Sequence, residues 1–124
     1  MAPHRVNTEQ GFTLIEVMIA ILLSAIAVVG LVGIYSVQTR GSSVSRHTTE
    51  AAVLAEDRME DLRTQIAPAT GSESGLDALG AAGGIYNRAW TVAIGGADIT
   101  YSVTVSWNED GITRNVTLRS KRGL

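Results

Sequence analysis

Gly11-Phe12-Thr13-Leu14-Ile15-Glu16-Val17 opens an apolar run that continues to Val37, and Glu16 is the only carboxylate or base between Phe12 and Val37. About 20 apolar residues span a bilayer as a helix, so the run is long enough to cross one with residues to spare. An ordinary secretory signal has an apolar stretch of about 7–15 residues and a small-x-small cleavage site after it. Here the run is longer, and the glycine stands before it. A lone carboxylate at membrane depth costs about 2.5–3.5 kcal/mol on insertion scales. A plain signal anchor leaves that cost without a reason, so Glu16 is expected to have a partner of opposite charge.

Each residue of the opening has a physical task. Gly11 lets the backbone lie extended in a protease site with no side chain in the way. Phe12 is apolar enough to sit in or beside lipid. Thr13 can bond its hydroxyl to nearby backbone, which suits a helix start. Glu16 faces the side of its own helix start, where it can meet a cationic amine. The attraction is strong at low dielectric, but desolvation offsets much of it. The expected gain is therefore in register, because only one stagger between packed helices pairs the charges. A carboxylate favoured by the helix dipole is the plainer account of the same residue. Gly30 and Gly33 each cost about 1 kcal/mol relative to alanine in a helix. In lipid such residues let helices approach closely, so helix plasticity and a packing face are both open readings.

Composition narrows the classes. The 124 residues leave room for one small domain beyond the apolar run. A net charge of −2 offers no basic field and argues against a nucleic-acid partner. With no cysteine, neither disulfides nor thiol chemistry contribute. His4 and His47 lie far apart and lack ligand spacing, so no metal and no cofactor are expected. No nucleophile–base pair or cofactor motif points to an enzyme. The charged cluster Glu56–Asp61 reads as a solvated helix face, because acid–base work needs a cleft that shifts carboxylate pKa values.

Thr39–Thr49 is polar and rich in serine and threonine, with Gly41 near its start. Alone it reads as a linker, yet helical periodicity resumes directly after it. Ala52, Ala55, Met59, Leu62 and Ile66 fall at steps of three and four on one helix face. Arg58 with Asp61, and Glu60 with Arg63, have the spacing of weak surface pairs. Pro68 ends the helix. A helix from Phe12 to Ile66 is about 80 Å long, far more than a bilayer, so its lower half has to support a domain.

Ala69–Gly84 holds five glycines and reads as a connector. It is no phosphate loop, since no lysine–serine/threonine pair follows and no strand leads in. Three strands are expected: Tyr86–Ile94, Ile99–Trp107 and Ile112–Ser120. Tyr101, Val103, Val105 and Trp107 alternate with Ser102, Thr104 and Ser106, while Ile112, Arg114, Val116 and Leu118 share one face of the last strand. Gly95-Gly96-Ala97-Asp98 and Asn108-Glu109-Asp110-Gly111 are the hairpin turns. The apolar face of this meander is expected to cover Met59, Leu62 and Ile66. Trp90, Tyr101 and Trp107 read as packing residues rather than a binding platform. A calcium loop at Asn108–Asp110 lacks the ligand alternation. Arg119, Lys121 and Arg122 form a short basic tail, solvated or in contact with another subunit.

Over Gly11–Val37 the chain resembles the processing and assembly signal of type IV prepilins and of type II secretion pseudopilins. The likeness is looser over Ala51–Arg63 and only architectural beyond. It implies an α+β, pilin-like fold, a long helix on a three-stranded antiparallel sheet. The expected divisions are a prepilin leader at 1–11, a transmembrane and filament-core helix at 12–37, its amphipathic continuation at 38–66, a glycine-rich loop at 67–85 and a β-meander at 86–124. The resemblance further implies that a prepilin peptidase cuts between Gly11 and Phe12 and N-methylates Phe12, and that Glu16 meets the terminal amine of a neighbouring subunit. The implied partners are the lipid bilayer, the inner-membrane assembly platform and other pilins or minor pilins through the N-terminal helix. The implied location is the inner membrane with a periplasmic C-terminal domain, then the surface pilus. Many major pilins carry a proline near the position of Gly33; this chain has none. Small size and the stretch Ile21–Leu31 are most similar to PilV-type minor pilins, which help to initiate or tip a filament. An I-type pseudopilin is the alternative, and a DNA-uptake or adhesive tip module a more distant one.

Overall fold

The computed structural model describes residues 2–3 and 11–124, so residues 1 and 4–10 of the expected leader lie outside the described residues. The chain divides into two compact units, Met1–Arg40 and Gly41–Leu124. Helix α1 (Leu14–Thr64) contributes to both, and strands β1 (Gly71–Leu76), β2 (Tyr86–Gly95), β3 (Asp98–Glu109) and β4 (Ile112–Gly123) follow.

No proline lies between Gly11 and Pro68, and Gly30, Gly33 and Gly41 do not interrupt α1. Tertiary and lipid-type environments routinely override propensity costs of this size. In the first unit every residue from Gly11 to Arg40 is exposed. The helix is long and apolar enough there to cross a membrane by length and composition.

In the second unit one face of α1 is buried: Ala51, Leu54, Ala55, Met59 and Leu62. The expected face is corrected at both ends. Ala51 and Leu54 are buried where the spacing puts Ala52, and Ala52 is half-buried. The helix stops at Thr64, where the Thr64 hydroxyl donates to the Asp61 carbonyl at 2.8 Å. Ile66 falls beyond the last turn and is 98% exposed, so it takes no part in the core.

The sheet is antiparallel and four-stranded, in the order β1-β2-β3-β4, not three-stranded. The added strand, β1, lies inside the stretch that reads as a glycine-rich loop. Its register runs Gly71↔Trp90, Ser72↔Ala89 and Glu73↔Arg88, then shifts before Leu76↔Tyr86. Gly75 sits in that irregularity at φ 69°, a left-handed conformation that glycine adopts without strain. At Gly71 the backbone runs close under an indole: a Cβ there would stand 2.7 Å from Trp90 Cζ2.

β2, β3 and β4 form the meander, with Gly95 opposite Asp98 and Glu109 opposite Ile112. The second turn has Asp110 at φ 52° and Gly111 at φ 78°, the two positive values of a type I′ hairpin. Ile99, Tyr101, Val103, Val105 and Trp107 of β3 are buried, as the alternation predicts. With Leu76, Tyr86 and Trp90 they close one core over α1, and Val116 and Leu118 of β4 pack at its margin. Ile112 stays exposed at the hairpin tip. β4 is the rim of the sheet and carries Arg114, Arg119, Lys121 and Arg122.

Candidate assembly and processing segment

The helix start is fixed by a reciprocal pair. The Thr13 amide donates to Glu16 Oε2 at 3.1 Å, and the Glu16 amide faces Thr13 Oγ1 at 3.4 Å. Thr13 O also accepts from the Glu16 amide at 3.1 Å and the Val17 amide at 3.3 Å. This is a capping box, threonine at the N-cap and glutamate three residues on, satisfying two otherwise orphaned amides. Thr13-x-x-Glu16 is a sequence signature of such a start, and it assigns Thr13 a larger part than a generic hydroxyl.

Gly11, Phe12, Thr13 and Glu16 therefore come together at one end of α1. Phe12 is 89% exposed, and a Cβ at Gly11 would meet nothing within 4 Å. The Gly11–Phe12 bond lies outside the helix, at exposed residues. Only Oε2 of Glu16 is engaged among the described residues. Phe12, Glu16, Val17, Ala20, Ile21 and Ser24 line a shallow, mostly apolar groove along the helix. Ser24 returns its hydroxyl to the Ala20 carbonyl at 2.8 Å, which removes a free donor from that apolar surface. Gly30 and Gly33 lie farther along α1, and the space where a Cβ would sit is open at both.

In the second unit the remaining singled-out residues have structural employment. Trp90, Tyr101 and Trp107 are buried. The Trp90 indole N–H donates to the Ala69 carbonyl at 2.8 Å. Arg58 is only partly solvated, which corrects the simple reading of Glu56–Asp61 as a solvated face. Its guanidinium lies 3.6 Å from the Trp90 ring centre and bonds Asp61 at 2.7 Å and Glu73 at 3.3 Å. Arg88 is nearly buried; it pairs with Glu73 and donates to the Leu54 carbonyl at 3.0 Å. Two arginines thus tie β1 to the helix through one carboxylate. The basic tail is engaged as well: Lys121 pairs Asp98 at 2.7 Å, and Arg122 donates to the Arg63 carbonyl at 2.8 Å. Asn108 accepts from the Gly111 amide at 3.1 Å, a turn-closing bond.

Two groups titrate away from their ordinary values. Burial, then the hydrogen bond to Glu50, pushes the Tyr86 phenol well up. Burial works against the Glu109 charge, but the Ser43 hydroxyl and the His47 ring bonded to it, with the Trp107 indole nearby, outweigh it and lower its carboxyl.

Residues 6–32 match the family model described as the prokaryotic N-terminal methylation motif. Comparison with curated proteins and with solved structures found no match. The motif, at the head of an apolar helix whose continuation packs on an antiparallel sheet, supports a type IV pilin-like family. That family is structural rather than enzymatic. The motif implies processing by prepilin peptidase and assembly with other pilins, and with the apolar helix it suggests membrane anchoring.

Proposed function

We propose that this chain is a minor pilin of a type IV pilus, a structural subunit that helps to initiate or tip the filament. Cleavage falls between Gly11 and Phe12, and Phe12 is N-methylated. The uncut chain waits in the inner membrane with its sheet unit in the periplasm. It then joins the surface pilus through α1, drawn from the bilayer by the assembly platform. Glu16 sets the register, its carboxylate receiving the terminal amine of an adjoining subunit.

One observation supports this reading above the others. A single carboxylate stands at the head of a helix whose entire surface from Gly11 to Arg40 is exposed and mostly apolar. Such a surface needs lipid or other helices around it, and the carboxylate then needs a cation. Gly30 and Gly33 serve close packing between helices. The Ile21–Leu31 stretch favours a minor subunit over a major one.

A clean deletion scored in one strain for surface filaments and for secreted exoproteins tests the reading. Loss of filaments with secretion intact is the expected result. Loss of secretion with filaments intact would replace the proposal by an I-type pseudopilin.

A further inference from the structure

The helical stretch after Gly41 has little intrinsic reason to be helical. Gly41-Ser42-Ser43-Val44-Ser45 and Thr48-Thr49 are poor helix formers. Thr48 and Thr49 return their hydroxyls to the Val44 and Ser45 carbonyls at 2.8 and 3.0 Å, a bond that slightly weakens and bends helices. No residue from Gly41 to Glu50 is fully buried, so core packing begins only at Ala51. Yet α1 is continuous through this stretch.

What holds it is the tip of the β3–β4 hairpin. Glu109, the last residue of β3, reaches back to the helix. Ser43 Oγ donates to Glu109 Oε1 at 2.9 Å, and His47 Nδ1 lies 3.2 Å from the same oxygen. Both His47 and Glu109 side chains are largely buried. The His47 ring packs edge-to-face with both Tyr86 and Trp107, with centroids 6.2 and 6.5 Å away, and those two rings lie 5.9 Å from each other. Arg114 of β4 flanks the other carboxylate oxygen at 3.4 Å. Below, Tyr86 donates to Glu50, which also pairs with Arg46 at 3.5 Å. Ser43 and His47 are one turn apart, so one carboxylate clamps two successive positions of the same helix face.

We propose that Glu109 is a latch: its contacts with Ser43 and His47 keep the Gly41–Thr49 stretch helical, and their release lets that stretch open while the sheet and the Ala51–Leu62 face stay folded. With the latch closed α1 runs unbroken through Gly41; with it open the sheet-packed part of the helix begins near Glu50. The inference stands on contacts within that unit and does not depend on the pilin reading.

Hydrogen exchange on the full chain in detergent micelles tests it. Losing charged hydrogen bonds of this kind should speed exchange at the Val44–Thr49 amides about tenfold in Glu109→Gln. The amides of Val103 and Val105 should stay within about twofold of the parent. Ser43→Ala, which removes one donor and leaves the carboxylate, should show the same pattern at smaller amplitude. It decides alone if Glu109→Gln does not fold. Equal acceleration in both groups would make Glu109 a general support of the domain and overturn the latch. Unchanged exchange at Val44–Thr49 would overturn it too.

Discussion

The two portions of α1 use the same backbone to meet opposite surroundings. From Leu14 to Arg40 apolar side chains point in every direction and none is buried. From Ala51 to Leu62 they are confined to one stripe, and the sheet covers it. A helix apolar all round belongs in lipid or in the middle of a bundle, whereas a striped one belongs on a domain surface. Stability should therefore reside in the second portion and assembly in the first. Substitutions can separate the two.

The largest effect is expected at Glu16. Glu16→Ala should abolish incorporation into filaments, read by immunoblot of sheared pili, and leave the melting of the sheet unit unchanged. A fully incorporated variant would break the comparison. Next comes the stripe. Leu62 is almost wholly buried, and Leu62→Ala should destabilise the sheet unit by about 2–5 kcal/mol in urea titrations followed by Trp90 and Trp107 fluorescence. A smaller dependence is expected on pH. Glu109 is held below its ordinary range, so its contribution is present above the unfolded value of about 4.3 and is lost as pH falls through the lower folded value. Glu109→Gln should flatten that part of the acid limb of a stability–pH profile. The smallest effect is expected at Ile66: exposed beyond the helix end, Ile66→Ala should change stability by no more than about 0.5 kcal/mol.

Much of this architecture is legible in the sequence where a pattern repeats. The alternation from Tyr101 to Trp107 fixes which face of β3 is inward, and Asp110-Gly111 marks its turn. Legibility fails where a residue's state depends on something distant. β1, with the sequence GSESGL, has a single large apolar residue, Leu76. Its place comes from pairing with β2 and from Arg58 and Arg88 holding Glu73. Ile66 fits the helical period, but the period says nothing of where the last turn closes. Arg58 reads as a surface charge because Trp90, thirty-odd residues on, is invisible to local spacing. At the processing segment the residue types are legible in one line, whereas the capping box that joins Thr13 to Glu16 emerges only when spacing is taken as geometry.

The rim strand β4 has a further consequence. Twelve residues of unpaired edge are a template on which another chain can build. If two copies met there in antiparallel fashion, Arg114, Arg119, Lys121 and Arg122 of each would be brought toward the same set on the other. Like charges set opposite one another across strands repel. The positively charged border thus opposes sheet-to-sheet self-association along β4.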